Sequence, residues 1–215
     1  MKTIVVGNPR VNQCQKPTGW LGRFHLWRMN SRHSNVTDWG LAHISVEKQQ
    51  TILDVGCGGG RTVSKLAAAA TQGKVYGVDF SEESVAASKR TNARWIEIGR
   101  VAIRNGSVSQ LPFPDGMFDV VTAVETHFWW PNLPSDLRET HRVLKPGGKL
   151  IIIAEIYKGA NTTMARLAEK YVSKTGMTLL SVDEHRSVLA NAGYSDVQIV
   201  EERDKGWICG VGRKP

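Results

Sequence analysis

The chain has 215 residues, of which 41% are hydrophobic and 22% charged, a composition typical of a globular domain with a polar surface. Three widely spaced cysteines, Cys14, Cys57 and Cys209, exclude a disulfide framework and a zinc motif, so we expect no metal site and a cytoplasmic location. The net charge is +8, and no apolar run approaches the roughly 18–20 residues of a membrane span, so we expect no membrane contact.

The N-terminal part of the chain lacks the regular pattern of the rest. Residues 1–15 are expected to be mobile, and residues 16–50 are predicted to form a helical leader that closes over a ligand cleft as a lid. Asn30, His33 and Trp39 are the polar and aromatic residues of this leader that we expect in a substrate pocket. The alternative is a helical pair packed against the edge of a sheet.

Strands and helices alternate over residues 51–215, which indicates an α/β domain with a mostly parallel sheet covered on both faces. Apolar runs and turn residues predict strands over residues 51–56, 74–80, 101–107, 118–125, 149–157, 197–203 and 206–213. Helical spacing predicts helices over residues 60–71, 81–98, 134–144, 162–175 and 183–192.

A glycine-rich loop, "LDVGCGGGR", joins the first strand to its helix. Gly56, Gly58 and Gly60 let the backbone turn sharply and approach a ligand closely. The dinucleotide fingerprint would require a third glycine at position 61, where Arg61 stands, and no Gly-Lys-Ser/Thr follows for a P-loop. The loop therefore holds another kind of ligand, or it is only a tight turn.

Two acids accompany this loop. Asp54 precedes the first glycine by two residues, where a carboxylate repels a pyrophosphate but attracts an ammonium or sulfonium group. Asp79 ends the second strand, where a carboxylate can accept hydrogen bonds from both hydroxyls of a ribose. Together they favour a cationic nucleoside as the ligand.

With these motifs the chain resembles the class I S-adenosylmethionine-dependent methyltransferases. "ILDVGCGGG", "VYGVDFS", "GSVSQLPFPDGMFDVV" and "RVLKPGGKLII" are similar to successive motifs of that family. The resemblance implies a doubly wound, Rossmann-like sheet of seven strands, with the last strand, "GWICGVGR", inserted antiparallel. It also implies S-adenosylmethionine as cofactor and S-adenosylhomocysteine as product.

The resemblance also implies roles for individual residues. The methionine part of the cofactor would lie along the glycine loop near Asp54, with Asp79 on the ribose and Phe80 on the adenine. The implied cofactor-binding residues are Asp54, Gly56, Cys57, Gly58, Gly60, Asp79, Phe80, Ser107, Val108 and Glu125. The chain departs from the family at Ser107, because the family commonly has an acid there to accept from the adenine amine, and a serine accepts more weakly.

The fourth strand ends in "VETHFWWPNL", beside the expected cofactor cleft. His127 is a candidate general base, because its ordinary pKa lies near neutrality, although it could instead shape the pocket. Phe128, Trp129 and Trp130 are candidate walls of the substrate pocket, and at least one tryptophan is expected in the core. Tyr157, just past the fifth strand, is the second candidate catalytic residue.

Three functions stay open at this level. The first is methylation of a small-molecule acceptor by direct transfer, in a monomer or homodimer. The second is methylation of RNA or protein, favoured by the basic N-terminal part but not by the scattered positions of its Lys and Arg residues. The third is binding of the cofactor without catalysis. The acceptor atom is undetermined, because this fold serves oxygen, nitrogen, carbon and sulfur acceptors.

Overall fold

The computed structural model describes residues 34–215, and their strands form one sheet of seven. The strands are β1 (Thr51–Val55), β2 (Lys74–Asp79), β3 (Val101–Asn105), β4 (Phe118–Val124), β5 (Leu144–Ala154), β6 (Ser195–Glu202) and β7 (Trp207–Arg213). Their order across the sheet is β3-β2-β1-β4-β5-β7-β6. Strand β7 is antiparallel to both of its neighbours and the other pairings are parallel, which confirms the predicted insertion of the last strand.

Helices cover both faces of this sheet. They are α1 (Ser34–Ala42), α2 (Arg61–Ala69), α3 (Glu82–Thr91), α4 (Ala93–Glu97), α5 (Leu133–Val143), α6 (Thr163–Thr175) and α7 (Val182–Asn191), with a short 3-10 helix over His127–Trp129. None of these described helices is long and apolar enough to cross a bilayer.

The strands are apolar on both sides because the sheet lies between two hydrophobic clusters. Residues 150–154 of β5 are each at most 1% exposed. Leu150 and Ile152 contribute to one cluster, and Ile151 and Ile153 contribute to the cluster on the opposite face. Alternation along a strand sends neighbouring side chains to opposite faces, so a sheet covered on both sides needs a continuous apolar run.

The helix predicted over residues 81–98 is instead two helices that meet at Asn92. The side chain of Ser81 accepts a hydrogen bond from the backbone N–H of Ser84 and caps the first of them. The buried Asn92 amide donates to the carbonyl oxygens of Gly60 and Ser88, both at 2.9 Å. This amide ties the helix break to the glycine loop.

Helix α1 is the described end of the predicted leader, and it packs on β5 and β7. Val36 is fully buried in the core cluster of this face. A Cβ atom on Gly40 would lie 2.5 Å from Ile153 Cδ1, so the glycine allows the helix to approach the sheet closely. Residues 34–42 are thus part of the domain core; Asn30 and His33 lie outside the described residues.

Candidate active site

A cavity of about 320 Å³ opens at the carboxyl ends of β1, β2 and β4. This is the edge at which open α/β sheets bind their ligands, next to the point where the strand order reverses. Its lining residues are Thr37, Asp54, Val55, Gly56, Cys57, Gly58, Gly59, Arg61, Thr62, Val78, Asp79, Phe80, Ser84, Gly106, Ser107, Val108, Val124, Glu125, Thr126, Trp129, Trp130 and Pro131.

The glycine loop is fixed by hydrogen bonds to β2. The backbone N–H groups of Gly56 and Cys57 both donate to the carbonyl oxygen of Val78, at 2.8 and 3.0 Å. Gly56 has a φ of +71°, and a Cβ atom there would lie 2.2 Å from Thr126 Oγ1. Only glycine allows this turn and this contact, so Gly56 is required where the loop borders the cavity.

Asp79 is 7% exposed and is oriented by two backbone donors. Its Oδ2 accepts from the N–H of Gly58 and its Oδ1 from the N–H of Ser81, both at 2.9 Å. Burial raises the pKa of this carboxyl, and the two backbone hydrogen bonds oppose that rise. The carboxylate therefore stands at a fixed position at the end of β2.

Asp54 is 2% exposed, and Thr122 Oγ1 donates to its Oδ1 at 2.7 Å. Burial raises the pKa of Asp54 to about 7; the Thr122 hydrogen bond opposes the rise and the nearby charge of Asp79 adds to it. Two carboxylates in one cavity repel each other, so a cation bound between them would stabilise the charged forms of both.

The predicted adenine side is also at the cavity. The Phe80 ring is 45% exposed, and Val108 is 8% exposed on a neighbouring loop. Ser107 lines the cavity as well, but its Oγ accepts a hydrogen bond from the N–H of Ser109 at 3.2 Å. The serine hydroxyl is thus used partly for its own turn.

The end of β4 brings Glu125 into the cavity through an unusual backbone conformation. Glu125 has a φ of +57°, one of two positive values among the described non-glycine residues. Its backbone N–H donates to the carbonyl oxygen of Ile153 at 2.9 Å, and its Oε1 accepts from the N–H of Glu155. The carboxylate therefore links the ends of β4 and β5.

Two of the three predicted aromatic walls reach the cavity. Trp129 and Trp130 line it, with Pro131 beside them. Phe128 does not; it is 5% exposed in a separate core cluster that also contains Tyr157. At least one tryptophan is expected in the core, and Trp130, which is only 6% exposed, belongs to the main hydrophobic cluster although it also borders the cavity.

His127 does not line the cavity, so the geometry gives no support to its predicted role as a base. It is 2% exposed, and its Nε2 lies 3.1 Å from Nε2 of His185, which is 1% exposed. Burial, with a smaller contribution from His185, holds the pKa of His127 well below its usual range. The ring is a neutral core residue paired with His185, so the geometry also gives no support to the alternative that it shapes the pocket.

Tyr157 is likewise buried away from the cavity, among Phe128, Ala160 and Ile208. Burial and a hydrogen bond with Glu201 raise the pKa of its hydroxyl to about 12. A phenol in this position neither contacts a ligand in the cavity nor ionises near neutrality. The geometry therefore gives no support to a catalytic role for Tyr157.

Gly60 and Trp39 also lie outside the cavity lining. Gly60 has a φ of +81°, and a Cβ atom there would lie 2.4 Å from Ser88 Oγ, so this glycine packs the loop against α3. Trp39 packs against His43 and Trp207, at ring-centroid distances of 4.8 and 5.9 Å. Both residues support the site indirectly, by fixing the loop and α1.

Sequence reasoning missed several lining residues, of which Arg61, Thr62 and Thr37 are the most informative. Arg61 and Thr62 begin α2, and the preference of ligands for helix N-termini could have identified them. Thr37 reaches the cavity from α1, and its position depends on how the helix docks on the sheet, for which the sequence carries no local signal. No cluster of metal-ligating side chains occurs within residues 34–215.

Comparisons with known proteins agree with this geometry. Residues 53–152 match the family model described as a methyltransferase domain. Demethylmenaquinone methyltransferase of Geobacillus kaustophilus is 37% identical over 139 residues, which are 60% of this chain and 57% of that protein. These matches support a class I S-adenosylmethionine-dependent methyltransferase.

Two further similarities extend the comparison. The 27-O-demethylrifamycin SV methyltransferase of Amycolatopsis mediterranei is 30% identical over 167 residues, 74% of this chain and 59% of that protein. The crystal structure of a methyltransferase from Aquifex aeolicus shares the fold with a TM-score of 0.71 and 21% identity, over 89% of this chain and 96% of that one. The chain thus spans somewhat more than half the length of the curated relatives it matches.

Proposed function

We propose that this chain transfers a methyl group directly from S-adenosylmethionine to a small-molecule acceptor. The observation that carries the proposal is the pair of buried carboxylates, Asp54 and Asp79, on either side of the glycine loop at one cavity. An ammonium or sulfonium group and a ribose are the partners that suit such acids. The residues present therefore fit the methyl donor of the family.

In this proposal, Asp79 accepts from the ribose hydroxyls and Asp54 lies near the ammonium group. Gly58 leaves room for a ligand beside the loop. A Cβ atom on this residue would meet no protein atom nearer than 4.0 Å and would extend into open space. Phe80 provides a flat apolar surface for the adenine, beside Val108. A backbone carbonyl oxygen near Ser107 would accept the hydrogen bond from the adenine amine where the serine hydroxyl does not.

Bound S-adenosylmethionine supplies an electrophilic methyl group on a cationic sulfur. The chain's contribution is to hold the acceptor in line and to exclude water. Trp129, Trp130 and Pro131 form the apolar wall on which we place the acceptor. A tryptophan face also attracts cations, so these walls would favour the positively charged sulfur of the donor.

The acceptor class is inferred from the predicted catalytic residues. Among residues 34–215 neither His127 nor Tyr157 lines the cavity, so we expect the transfer to depend on alignment more than on either of these side chains. An acceptor whose nucleophile ionises readily, such as an acidic phenol or enol, needs no strong base. The relatives named for demethylmenaquinone and demethylrifamycin support a small organic acceptor.

The proposed cofactor-binding domain comprises residues 51–215. The part of the leader within residues 34–50 supports a role of this segment beside the acceptor, because Thr37 of α1 lines the cavity, whereas residues 16–33 lie outside the described part of the chain. We place the protein in the cytoplasm, as a monomer or homodimer.

Calorimetric titration with S-adenosylmethionine and S-adenosylhomocysteine, with NAD as control, tests the cofactor. We expect binding of the first two alone. Asp79→Ala should weaken it at least about tenfold, because hydrogen bonds to a charged group contribute about 1.5–3 kcal/mol each. Asp204→Ala, at an exposed turn, is the matched control.

Transfer of a labelled methyl group then tests the acceptor, using quinols and phenolic polyketides beside bulk RNA and protein. Labelling of small phenols or quinols alone supports the proposal. Labelling of RNA or protein alone would replace it with the macromolecular alternative. Tight cofactor binding without transfer to any acceptor class would favour a non-catalytic binding protein.

A further inference from the structure

Helix α6 is the least buried of the long helices in the described part of the chain. Of its thirteen residues only Ala165 is buried. Met164, Leu167 and Tyr171 are large hydrophobic side chains that are 45%, 49% and 39% exposed. They account for half of the six large exposed hydrophobic residues found among residues 34–215.

These three side chains form one stripe along the helix. Their spacing of three and four residues places them on the same face, and Ala168 extends the stripe. The stripe does not face the protein, because Ala165 and the partly buried Val172 occupy the inward side. The helix therefore presents an apolar face to its surroundings.

A basic stripe runs beside the apolar one. Arg166, Lys170 and Lys174 follow each other at four-residue spacing and are all exposed. Lys170 Nζ and Lys174 Nζ lie 6.0 and 5.5 Å from the centroid of the Tyr171 ring. The single acid of the helix, Glu169, turns back to the protein, where its Oε1 accepts from the N–H of Gly159 at 2.6 Å.

The face is held in place at both ends of the helix. Thr162 Oγ1 accepts from the N–H of Ala165 at 3.2 Å as an N-cap. Gly176, with a φ of +72°, ends the helix and donates to the carbonyl oxygen of Val172 at 3.1 Å. Ala165 anchors the first turn in the core cluster that contains Phe128. The amphipathic surface is therefore preformed.

We propose that α6 binds an anionic lipid bilayer, with Met164, Leu167 and Tyr171 entering the headgroup boundary. An apolar stripe flanked by Lys and Arg is the pattern of a helix that lies in a membrane interface. Each cation near an anionic surface adds about 1 kcal/mol of attraction. Surface attachment needs no membrane span, so it is compatible with the hydropathy of the chain. The proposal replaces the expectation, drawn from the sequence, that the chain makes no membrane contact.

Charge disfavours two other occupants of this face. A second copy of the chain would bring the same three cations against each other. Residues 16–33 carry apolar groups but also four Lys or Arg and no acid, so the basic stripe of α6 repels them. An anionic surface is the partner whose charge is complementary.

The position of α6 gives the attachment a consequence for access. The helix follows β5 and so lies toward the edge of the sheet that holds the cavity. Ala165 of α6 lies in the same hydrophobic cluster as Phe128. Trp129, which follows Phe128 in the sequence, lines the cavity. A bilayer bound to α6 would lie near the side of the cavity where we place the acceptor. The binding of α6 to the bilayer does not depend on methyl transfer.

Flotation of the full chain with lipid vesicles tests the proposal. We expect binding to vesicles that contain phosphatidylglycerol and not to vesicles of phosphatidylcholine alone, with loss of binding in high salt. The triple variant M164S/L167S/Y171S should lose binding at least tenfold. K170Q and K174Q should each weaken it about fivefold, which is the effect of one cation.

Matched controls distinguish α6 from the general basic surface. Ile98→Ser removes an exposed hydrophobic residue elsewhere, and Lys89→Gln removes an exposed cation of α3; both should bind vesicles as the unmodified chain does. Circular dichroism and thermal unfolding confirm that each variant is folded. Binding that persists in the triple variant, equal binding to both vesicle types, or no binding to either would overturn the proposal. In the last case light scattering shows whether a second copy covers the face.

Discussion

The imidazole rings of His127 and His185 meet nitrogen to nitrogen, with their Nε2 atoms 3.1 Å apart in the core. Nδ1 of His185 lies 2.8 Å from the carbonyl oxygen of Ser181, so that nitrogen carries a proton and donates it. His185 Nε2 is then an acceptor, and His127 Nε2 is the donor to it. This arrangement requires both rings to be neutral, since a second proton would place two donors face to face.

This pair predicts a loss of stability in acid. Burial lowers the pKa of both rings below the ordinary value of 6.5. The unfolded chain therefore binds more protons than the folded one below about pH 6.5, and the free energy of unfolding falls as pH falls. Each ring contributes a slope of at most about 1.4 kcal/mol per pH unit.

The prediction is measured as a difference between variants. His127→Gln keeps a donor for His185 but removes one titrating ring, so its urea-unfolding free energy should fall less between pH 6.5 and pH 5 than that of the unmodified chain. The comparison is needed because the raised pKa values of Asp54 and Asp79 act in the opposite direction. His43→Gln, in the exposed turn directly after α1, is the control; an unchanged slope in His127→Gln would contradict the neutral pair.

Gly58 and Gly60 are predicted to fail in different ways when replaced by alanine. In Gly60→Ala the new methyl would meet Ser88 and Asn92 within 2.4–2.5 Å, at a φ of +81°. We expect a loss of about 3 kcal/mol in unfolding free energy, from overpacking and left-handed strain together. In Gly58→Ala the methyl meets open space, so only the strain of about 1–2 kcal/mol remains.

The two variants should therefore separate stability from ligand binding. Thermal unfolding ranks Gly60→Ala as the less stable, whereas calorimetry with S-adenosylhomocysteine ranks Gly58→Ala as the weaker binder per folded molecule. The reverse order would mean that the loop borders the ligand at Gly60.

Asp54 predicts a pH dependence of cofactor affinity. Its pKa of about 7 means that the carboxyl is largely protonated at pH 6 and largely ionised at pH 8 in the free protein. The ammonium group of the ligand favours the ionised carboxyl, so affinity for S-adenosylhomocysteine should fall several-fold between pH 7.5 and pH 6. Asp54→Asn should bind more weakly and with a flatter profile; a profile as steep as that of the unmodified chain would assign the titration to another group.

Trp129 and Phe128 form a matched pair of neighbours with different surroundings. Trp129→Ala removes a cavity wall, and we expect kcat/KM for the acceptor to fall about tenfold or more, with cofactor affinity little changed. Phe128→Ala leaves a hole in the core and should cost about 3 kcal/mol or more of stability. Steady-state kinetics and urea unfolding of both variants test this prediction. Equal effects of the two substitutions on kcat/KM, after correction for the fraction of folded protein, would contradict the division between cavity wall and core.

The sheet and the position of the glycine loop and Asp79 at the cavity were predictable because their causes are local. A continuous apolar run marks a strand covered on both faces, and the spacing of Asp54, Gly56 and Gly58 marks a loop that approaches a ligand. Asp79 follows from its place at the end of an identifiable strand. In each case the residue's neighbours in the sequence are also the neighbours that determine its position.

The acceptor side was not predictable to the same degree. After β4 the backbone takes a φ of +57° at Glu125 and then a 3-10 turn, so neither strand nor helix periodicity tells which side chain faces the cavity. His127 consequently pairs with His185, which is 58 residues away in the sequence. Thr37 reaches the site only because α1 docks on a distant strand.

The insertion of β7 between β5 and β6 affects how the molecule is assembled during synthesis. Strand β6 leaves the ribosome before β7 but pairs only with β7, so it has no edge to join until the last strand follows. Until then the β5 edge displays unpaired backbone groups beside its most apolar residues. A chain that stops after β6, between residues 202 and 207, should therefore leave this edge unpaired and aggregate more readily than the full chain.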